Sequence, residues 1–250
     1  MNERALSHSL SRLFAFALFL LLLSTAAPRL ITRSAQVPPP APRVVVPGDT
    51  ARPPSDAVVL FNGADLSQWT HRRDRPPAWE IDDGALVCVP GAGNLFTREA
   101  FDDFQLHLEF AVPFMPEATG QDRGNSGVYL QGRYEVQILD SFESATYPNG
   151  QCGAIYGVEP PLVNACRPPR EWQSYDIIFR AARYSESGEL TRPARITVLQ
   201  NGALIQDGVE ISESTTAAPT PPGPDPAPLM LQDHDNRVSF RNIWIRRLER

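Results

Sequence analysis

The stretch Arg133-Tyr134-Glu135-Val136-Gln137-Ile138-Leu139 decides the fold class. Tyr134, Val136 and Ile138 alternate with Arg133, Glu135 and Gln137. Successive side chains of a strand point to opposite faces, so the apolar set lies on one side of a sheet and the hydrogen-bonding set on the other. Phe104 to Phe110 repeats the pattern: Phe104, Leu106, Leu108 and Phe110 share one face, and Gln105, His107 and Glu109 share the other. A solvated outer face explains such polar sets in general. Arg133, Glu135 and Gln137 stand out because they line up long hydrogen-bonding groups on a strongly apolar strand. A concave sheet face of this kind suits a sugar.

Outward from these two strands, short alternating runs separated by Gly, Pro, Asn and Asp continue from Ala57 onward. They predict strands at 58–61, 79–81, 85–89, 95–97, 104–112, 127–131, 134–139, 172–181, 195–200, 203–206, 230–232 and 238–248. Many short strands with turn residues between them imply an all-β antiparallel sandwich or barrel. Asn62-Gly63, Asp83-Gly84 and Asn201-Gly202 read as hairpin turns. Asn125-Ser126, between glycines, reads as a tight turn or a substrate contact. Trp69, Trp79, Trp172 and Trp244 stand in apolar strand contexts and are expected in the core.

Composition narrows the function. The chain has 250 residues, a net charge of −6 and no lysine, so all 23 basic residues are arginine. Lysine Schiff-base chemistry and a P-loop are thereby excluded. Net negative charge without a basic stripe argues against nucleic acid. An ordinary glycosidase needs two carboxylates flanking the bond, and Glu135-x-Gln137-x-Leu139 lacks the second. Ser126 does not stand in a Gly-x-Ser-x-Gly elbow.

The N-terminus reads as a targeting segment. Arg4 and Arg12 precede an apolar run from Leu13 to Leu23, then Ser24-Thr25-Ala26-Ala27. This is the order of a secretory signal, expected at 1–26 with cleavage after Ala26; an uncleaved anchor is the alternative. Residues 27–56 form a Pro-rich linker, and the folded domain is expected at 57–250. A second Pro-rich stretch, 215–228, is expected to be a surface loop insertion. Export to the periplasm or the extracellular space follows, without stable membrane insertion after cleavage. The oxidising compartment makes a Cys152–Cys166 bridge plausible, with Cys88 a buried thiol.

Ordered motifs then resemble one family. Leu60-Phe61-Asn62-Gly63-Ala64-Asp65-Leu66-Ser67-Gln68-Trp69 is similar to the opening of the 3-keto-disaccharide hydrolase domain family, also described as 3-keto-glucoside 1,2-lyase or 3-keto-2-hydroxy-glucal hydratase. Trp79–Gly84, Gly124–Leu130, Tyr134–Asp140, Gly153–Gly157, Glu171–Tyr175, Leu231–His234 and Phe240–Ile243 follow in the expected order. Asp235 and Gln173 depart from the usual residues. The resemblance implies a concanavalin A-like jelly-roll sandwich of two antiparallel sheets acting on oxidised glycosides.

A C3 ketone acidifies the C2 proton of a sugar. Removal of that proton gives an enolate that expels the C1 substituent, and water can then add. The chemistry needs a general base and an enolate stabiliser, with a divalent metal at the carbonyl left open. Glu135 and His234 are the candidate catalytic residues. Arg133, Gln137, Asn125, Gln232 and Arg241 are candidate substrate contacts. The expected ligand is a small molecule or oligosaccharide. A non-catalytic carbohydrate-binding module is the alternative, because the fold supports either use.

Overall fold

The computed structural model describes residues 41–49 and 52–249. The expected signal segment lies outside the described residues. The chain divides after Arg43, and the fold below belongs wholly to the unit Val44–Arg250.

The strands are, in chain order, β1 (Val58–Phe61), β2 (Trp69–Thr70), β3 (Glu80–Asp82), β4 (Ala85–Val87), β5 (Leu95–Phe101), β6 (Phe104–Ala111), β7 (Asn125–Leu130), β8 (Tyr134–Leu139), β9 (Gln173–Arg180), β10 (Arg183–Tyr184), β11 (Leu190–Arg192), β12 (Ala194–Gln200), β13 (Ala203–Ile211), β14 (Ala227–Leu231) and β15 (Ser239–Arg247). One eight-stranded sheet runs β13-β12-β9-β6-β15-β4-β3, with β1 also on β15. A five-stranded sheet runs β2-β5-β14-β7-β8. The large sheets are antiparallel throughout and pack face to face, giving the expected jelly-roll sandwich. Strands far apart in sequence, such as β7 and β14, become sheet neighbours through long crossovers. No helix among the described residues is long and apolar enough to cross a membrane.

The two alternating stretches supply opposite walls of the core. Leu106, Leu108 and Phe110 of β6 and Tyr134, Val136 and Ile138 of β8 are all buried. Phe179 of β9 bridges them, with ring centroids 4.9 Å from Phe104 and 5.7 Å from Tyr134. Burying each such side chain contributes about 1.5–3 kcal/mol. Tyr175 ties the sheets by donating its hydroxyl to the Gln137 carbonyl at 2.6 Å.

Two of the three expected hairpin turns form. Asp83-Gly84 (φ 45° and 72°) and Asn201-Gly202 (φ 52° and 81°) both have the two left-handed residues of a type I′ hairpin. Gln131-Gly132 makes a third, unexpected from its first residue (φ 55° and 61°), between β7 and β8. Asn62-Gly63 is not a hairpin, because β1 and β2 enter different sheets. Asn125-Ser126 is not a turn but the start of β7, paired with Ile138 and Leu139 of β8.

Trp69 and Trp79 are core residues, Trp172 is half-buried, and Trp244 is buried too, its ring stacked on His107 of the sheet's outer face. Phe240 and Ile245 of β15 take the inward positions instead. Val46 and Ser55 hydrogen-bond to each other, and Asp56 holds Arg246 at 2.7 Å.

Cys152 and Cys166 correct an expectation. They stand as free thiols, not as a bridge. The Gln200 amide lies against both sulfurs, 3.5 Å from Cys152 Sγ and 3.4 Å from Cys166 Sγ. The Tyr175 hydroxyl takes a further position, 3.1 Å from Cys152 Sγ.

Candidate active site

The outward face of β7 and β8 gathers Asn125, Tyr129, Glu135 and Gln137, because the register places Tyr129 opposite Glu135 and Gly127 opposite Gln137. This face is not open. Every residue of both strands is buried. Three segments cover it or its edge.

The first is 150–156. The Ala154 carbonyl accepts from Gln137 N, and Tyr156 N donates to the Glu135 carbonyl at 3.1 Å, so β8 has no bare edge. The second is 119–122, where Gln121 Oε1 accepts from Gln137 Nε2 at 3.1 Å. The third is the Pro-rich stretch expected to be a surface insertion. Much of it is exposed, as a surface loop is, and it is tied to the β7–β8 hairpin. Thr215 is buried and its Oγ1 accepts from Glu135 N at 3.0 Å. Thr220 N donates to the Gly132 carbonyl at 3.1 Å. The end of the stretch, from Ala227, is already β14.

Glu135 is 3% exposed and accepts one side-chain hydrogen bond, from the Tyr129 hydroxyl at 2.7 Å. Its Oε1 has no hydrogen-bond partner among the described residues. Burial pushes the carboxyl up from 4.5 to about 7, and the bond from Tyr129 offsets only part of that rise. Gly127 makes the room: a Cβ there would collide with Glu135 Oε1. Thus a buried carboxyl near neutrality sits where a larger residue on β7 could not face it.

Three amide oxygens on the same layer are buried and unpartnered: Asn125 Oδ1, Gln137 Oε1 and Gln232 Oε1. Their nitrogens are engaged: Asn125 with the Gln121 carbonyl, Gln137 with Gln121, and Gln232 with the Tyr129 hydroxyl at 3.3 Å. Each buried unmatched acceptor costs about 1–3 kcal/mol. Such a set is matched by a ligand rich in O–H donors.

The remaining expected site residues go elsewhere. Arg133 directs its guanidinium to the Pro221 carbonyl (2.8 Å), the Asp225 carbonyl (3.0 Å) and Gln131 Oε1 (2.8 Å), so it anchors the covering loop. Arg241 is on β15 in the other sheet, paired with Glu109 at 2.7 Å and lying over the Trp172 ring. It cannot share a site with Glu135, because its strand contributes to the opposite layer. His234 is exposed at the apex of the 232–238 loop, and its side chain makes no hydrogen bond among the described residues. The base of that loop is fixed, since Asp233 accepts from Gly93 N at 2.8 Å and Asn236 Oδ1 accepts from Asn125 N at 2.9 Å.

Residues unmarked by the pattern also enter. Tyr147 and Tyr156 share a hydroxyl contact of 2.6 Å, and Glu135 acts electrostatically on Tyr147. Tyr129 and Gln121 complete the set. The period-two pattern gives Tyr129 as a strand residue, but loop residues such as Gln121 and Tyr147 carry no such signal. No group of three or more His, Cys, Asp or Glu that could hold a metal ion exists among the described residues.

Residues 56–246 match the 3-keto-alpha-glucoside-1,2-lyase-like domain family. The chain belongs to this family. A crystal structure from Parabacteroides distasonis, provisionally assigned as a glycosyl hydrolase, is 41% identical, with a TM-score of 0.78 over 86% of this chain and 95% of that one. A second from the same organism, with the same provisional assignment, shares the fold at 22% identity and a TM-score of 0.57, covering 78% and 94% of the two chains. No curated protein matches. Family membership makes this a carbohydrate-active domain.

Proposed function

We propose that this chain is an exported enzyme that cleaves 3-keto-glycosides by elimination, with hydration of the product completing net hydrolysis. The observation that carries the reading is Glu135: a buried carboxyl with a pKa of about 7, one open oxygen, and three unpartnered amide oxygens on its layer.

Glu135 takes the C2 proton of a sugar oxidised at C3. The electron pair left on C2 delocalises onto the ketone oxygen as an enolate, then returns to expel the C1 oxygen. The C1–O bond breaks and the departing alkoxide takes the proton that Glu135 removed from C2, which returns Glu135 to its ionised form. The product is a 2-hydroxy-3-keto-glucal. Water added across its C1–C2 double bond gives the free 3-keto sugar. A base with a pKa near the working pH suits this task, because it is half-ionised yet still basic. Tyr129 fixes the carboxylate through Oε2, leaving Oε1 for the proton. Asn125, Gln137 and Gln232 would accept from sugar hydroxyls. The Tyr147–Tyr156 pair offers O–H donors for the developing enolate. Family membership and the N-terminal charged, apolar, small-residue order support an extracytoplasmic sugar enzyme. His234 remains the proposed second acid/base, from the mobile-proton chemistry of imidazole and its place in the Leu231–His234 motif.

The test is incubation of the mature domain with 3-keto-trehalose and 3-keto-glucosides, with and without chelator, following the glucal chromophore and free 3-keto sugar. Turnover that survives chelation and disappears in Glu135→Gln is expected. No turnover of any 3-keto sugar, with saturable binding of an unoxidised glycan, makes the domain a binding module.

A further inference from the structure

A hollow of about 520 Å³ on the eight-stranded sheet is lined by Arg180, Arg183, Arg192 and Arg195, against Asp103 and Glu210. Two pairs of these arginines are direct cross-strand neighbours: Arg180 faces Arg195 between β9 and β12, and Arg183 faces Arg192 between β10 and β11. Like charges directly opposite in a ladder destabilise it. The eight-stranded sheet and the separate β10–β11 ribbon each carry this cost once beside the hollow, and Glu210, opposite Arg195 on β13, answers part of the first.

Part of the charge is answered. Buried Asp103 accepts from Arg180 at 3.1 Å and from Arg183 at 2.6 Å, and Asp102 pairs with Arg183 at 3.2 Å. These contacts fix two guanidinium groups on the hollow's wall. The other two are exposed. Arg195 donates Nε to the Gly208 carbonyl, and neither Arg192 nor Arg195 has an ion pair among the described residues. Planar guanidinium forks bind carboxylate and sulfate in pairs, which an ammonium does not. A bound oxyanion would remove the repulsion of both cross-strand pairs.

We infer that this hollow binds the carboxylate or sulfate groups of an acidic glycan. A glycan is the occupant because the domain belongs to a carbohydrate-active family. The inference needs only the carbohydrate premise and not the reaction at Glu135.

The experiment measures retention and calorimetric affinity of the full chain on polygalacturonate, dextran sulfate and neutral dextran. Wild-type and Arg192→Ala/Arg195→Ala proteins are compared at low and moderate salt. Wild type is expected to bind one or both acidic polymers and not dextran, with the affinity falling as salt rises. The double variant should lose at least tenfold in affinity. The Arg192→Lys/Arg195→Lys variant, which keeps charge but not the fork, should lose less. Polygalacturonate bound without dextran sulfate assigns the site to carboxylate, and the reverse assigns it to sulfate. The inference is overturned if neither acidic polymer binds better than dextran, if the double variant binds them as tightly as wild type, or if duplex DNA competes as well as they do. Turnover of small 3-keto-glucosides should be the same in all three proteins, so a failure here is separate from a failure at Glu135.

Discussion

The outer faces of the two sheets carry similar residues to opposite ends. On the eight-stranded sheet, Glu109 accepts from Arg241 at 2.7 Å and Asn242 at 2.9 Å, and His107 meets Asp176 at 2.7 Å. Burial alone would raise the Glu109 carboxyl, but the bonds from Asn242 and Arg241 outweigh it and hold the group below its usual range. On the five-stranded sheet, Glu135 has a neutral tyrosine for its partner and stays near 7, while three amide oxygens go unmatched. The first face is satisfied within the protein. The second keeps polar capacity for something outside it. Alternation alone cannot tell the two apart, since both strands alternate equally well.

The largest effect should separate the carboxylates. Glu135→Gln is expected to lower turnover of 3-keto-glucosides by about 10²–10⁴-fold, the usual range for a general base. Glu109→Gln should leave turnover unchanged. Equal losses in both would erase the distinction.

Gly127→Ala comes next. The new methyl would strike Glu135 Oε1, costing about 1–3 kcal/mol of stability as overpacking and displacing the carboxylate. Chemical denaturation and turnover should both register it.

A pH profile sharpens the comparison further. Activity dependent on ionised Glu135 should rise through about pH 7. Tyr129→Phe should move that limb to higher pH, because the Tyr129 bond favours the charged form. Stability should run the other way. The folded state holds the Glu135 proton up to about 7, against 4.5 unfolded, so this contribution is full below pH 4.5 and is lost as pH rises through about 7. Glu135→Gln should therefore melt higher than wild type at pH 8 and close to it at pH 4.5.

The smallest effect belongs to Arg241→Ala. Its partly exposed pair with Glu109 should contribute at most about 1 kcal/mol, seen by thermal melting, with turnover intact.

Much of the scaffold was legible in the chain. Period-two alternation placed β6 and β8, and Asp83-Gly84 and Asn201-Gly202 placed two hairpins, because strand faces and left-handed turns are local properties. The short strands β2, β10 and β11 were missed, since two or three residues carry no period. Strand phase placed Glu135 and Gln137 on one face, whereas Asn125 was read as a turn or a contact and Gln232 was a candidate contact without a place, and only the register and packing put all four on one layer. Arg241 was not, because the sheet that a strand joins depends on crossovers that no local pattern reports.

The sequence by itself determined the sandwich, its inward apolar layers and the strand that carries Glu135. Alternation and turn chemistry act over a few residues and are written in the chain. Only the tertiary structure decided that the Pro-rich stretch covers that strand, that Arg133 is spent on holding it, and that the carboxyl is raised towards neutrality. Those outcomes depend on burial by segments some eighty residues away, and the desolvation of a charge exists only once its neighbours have packed around it.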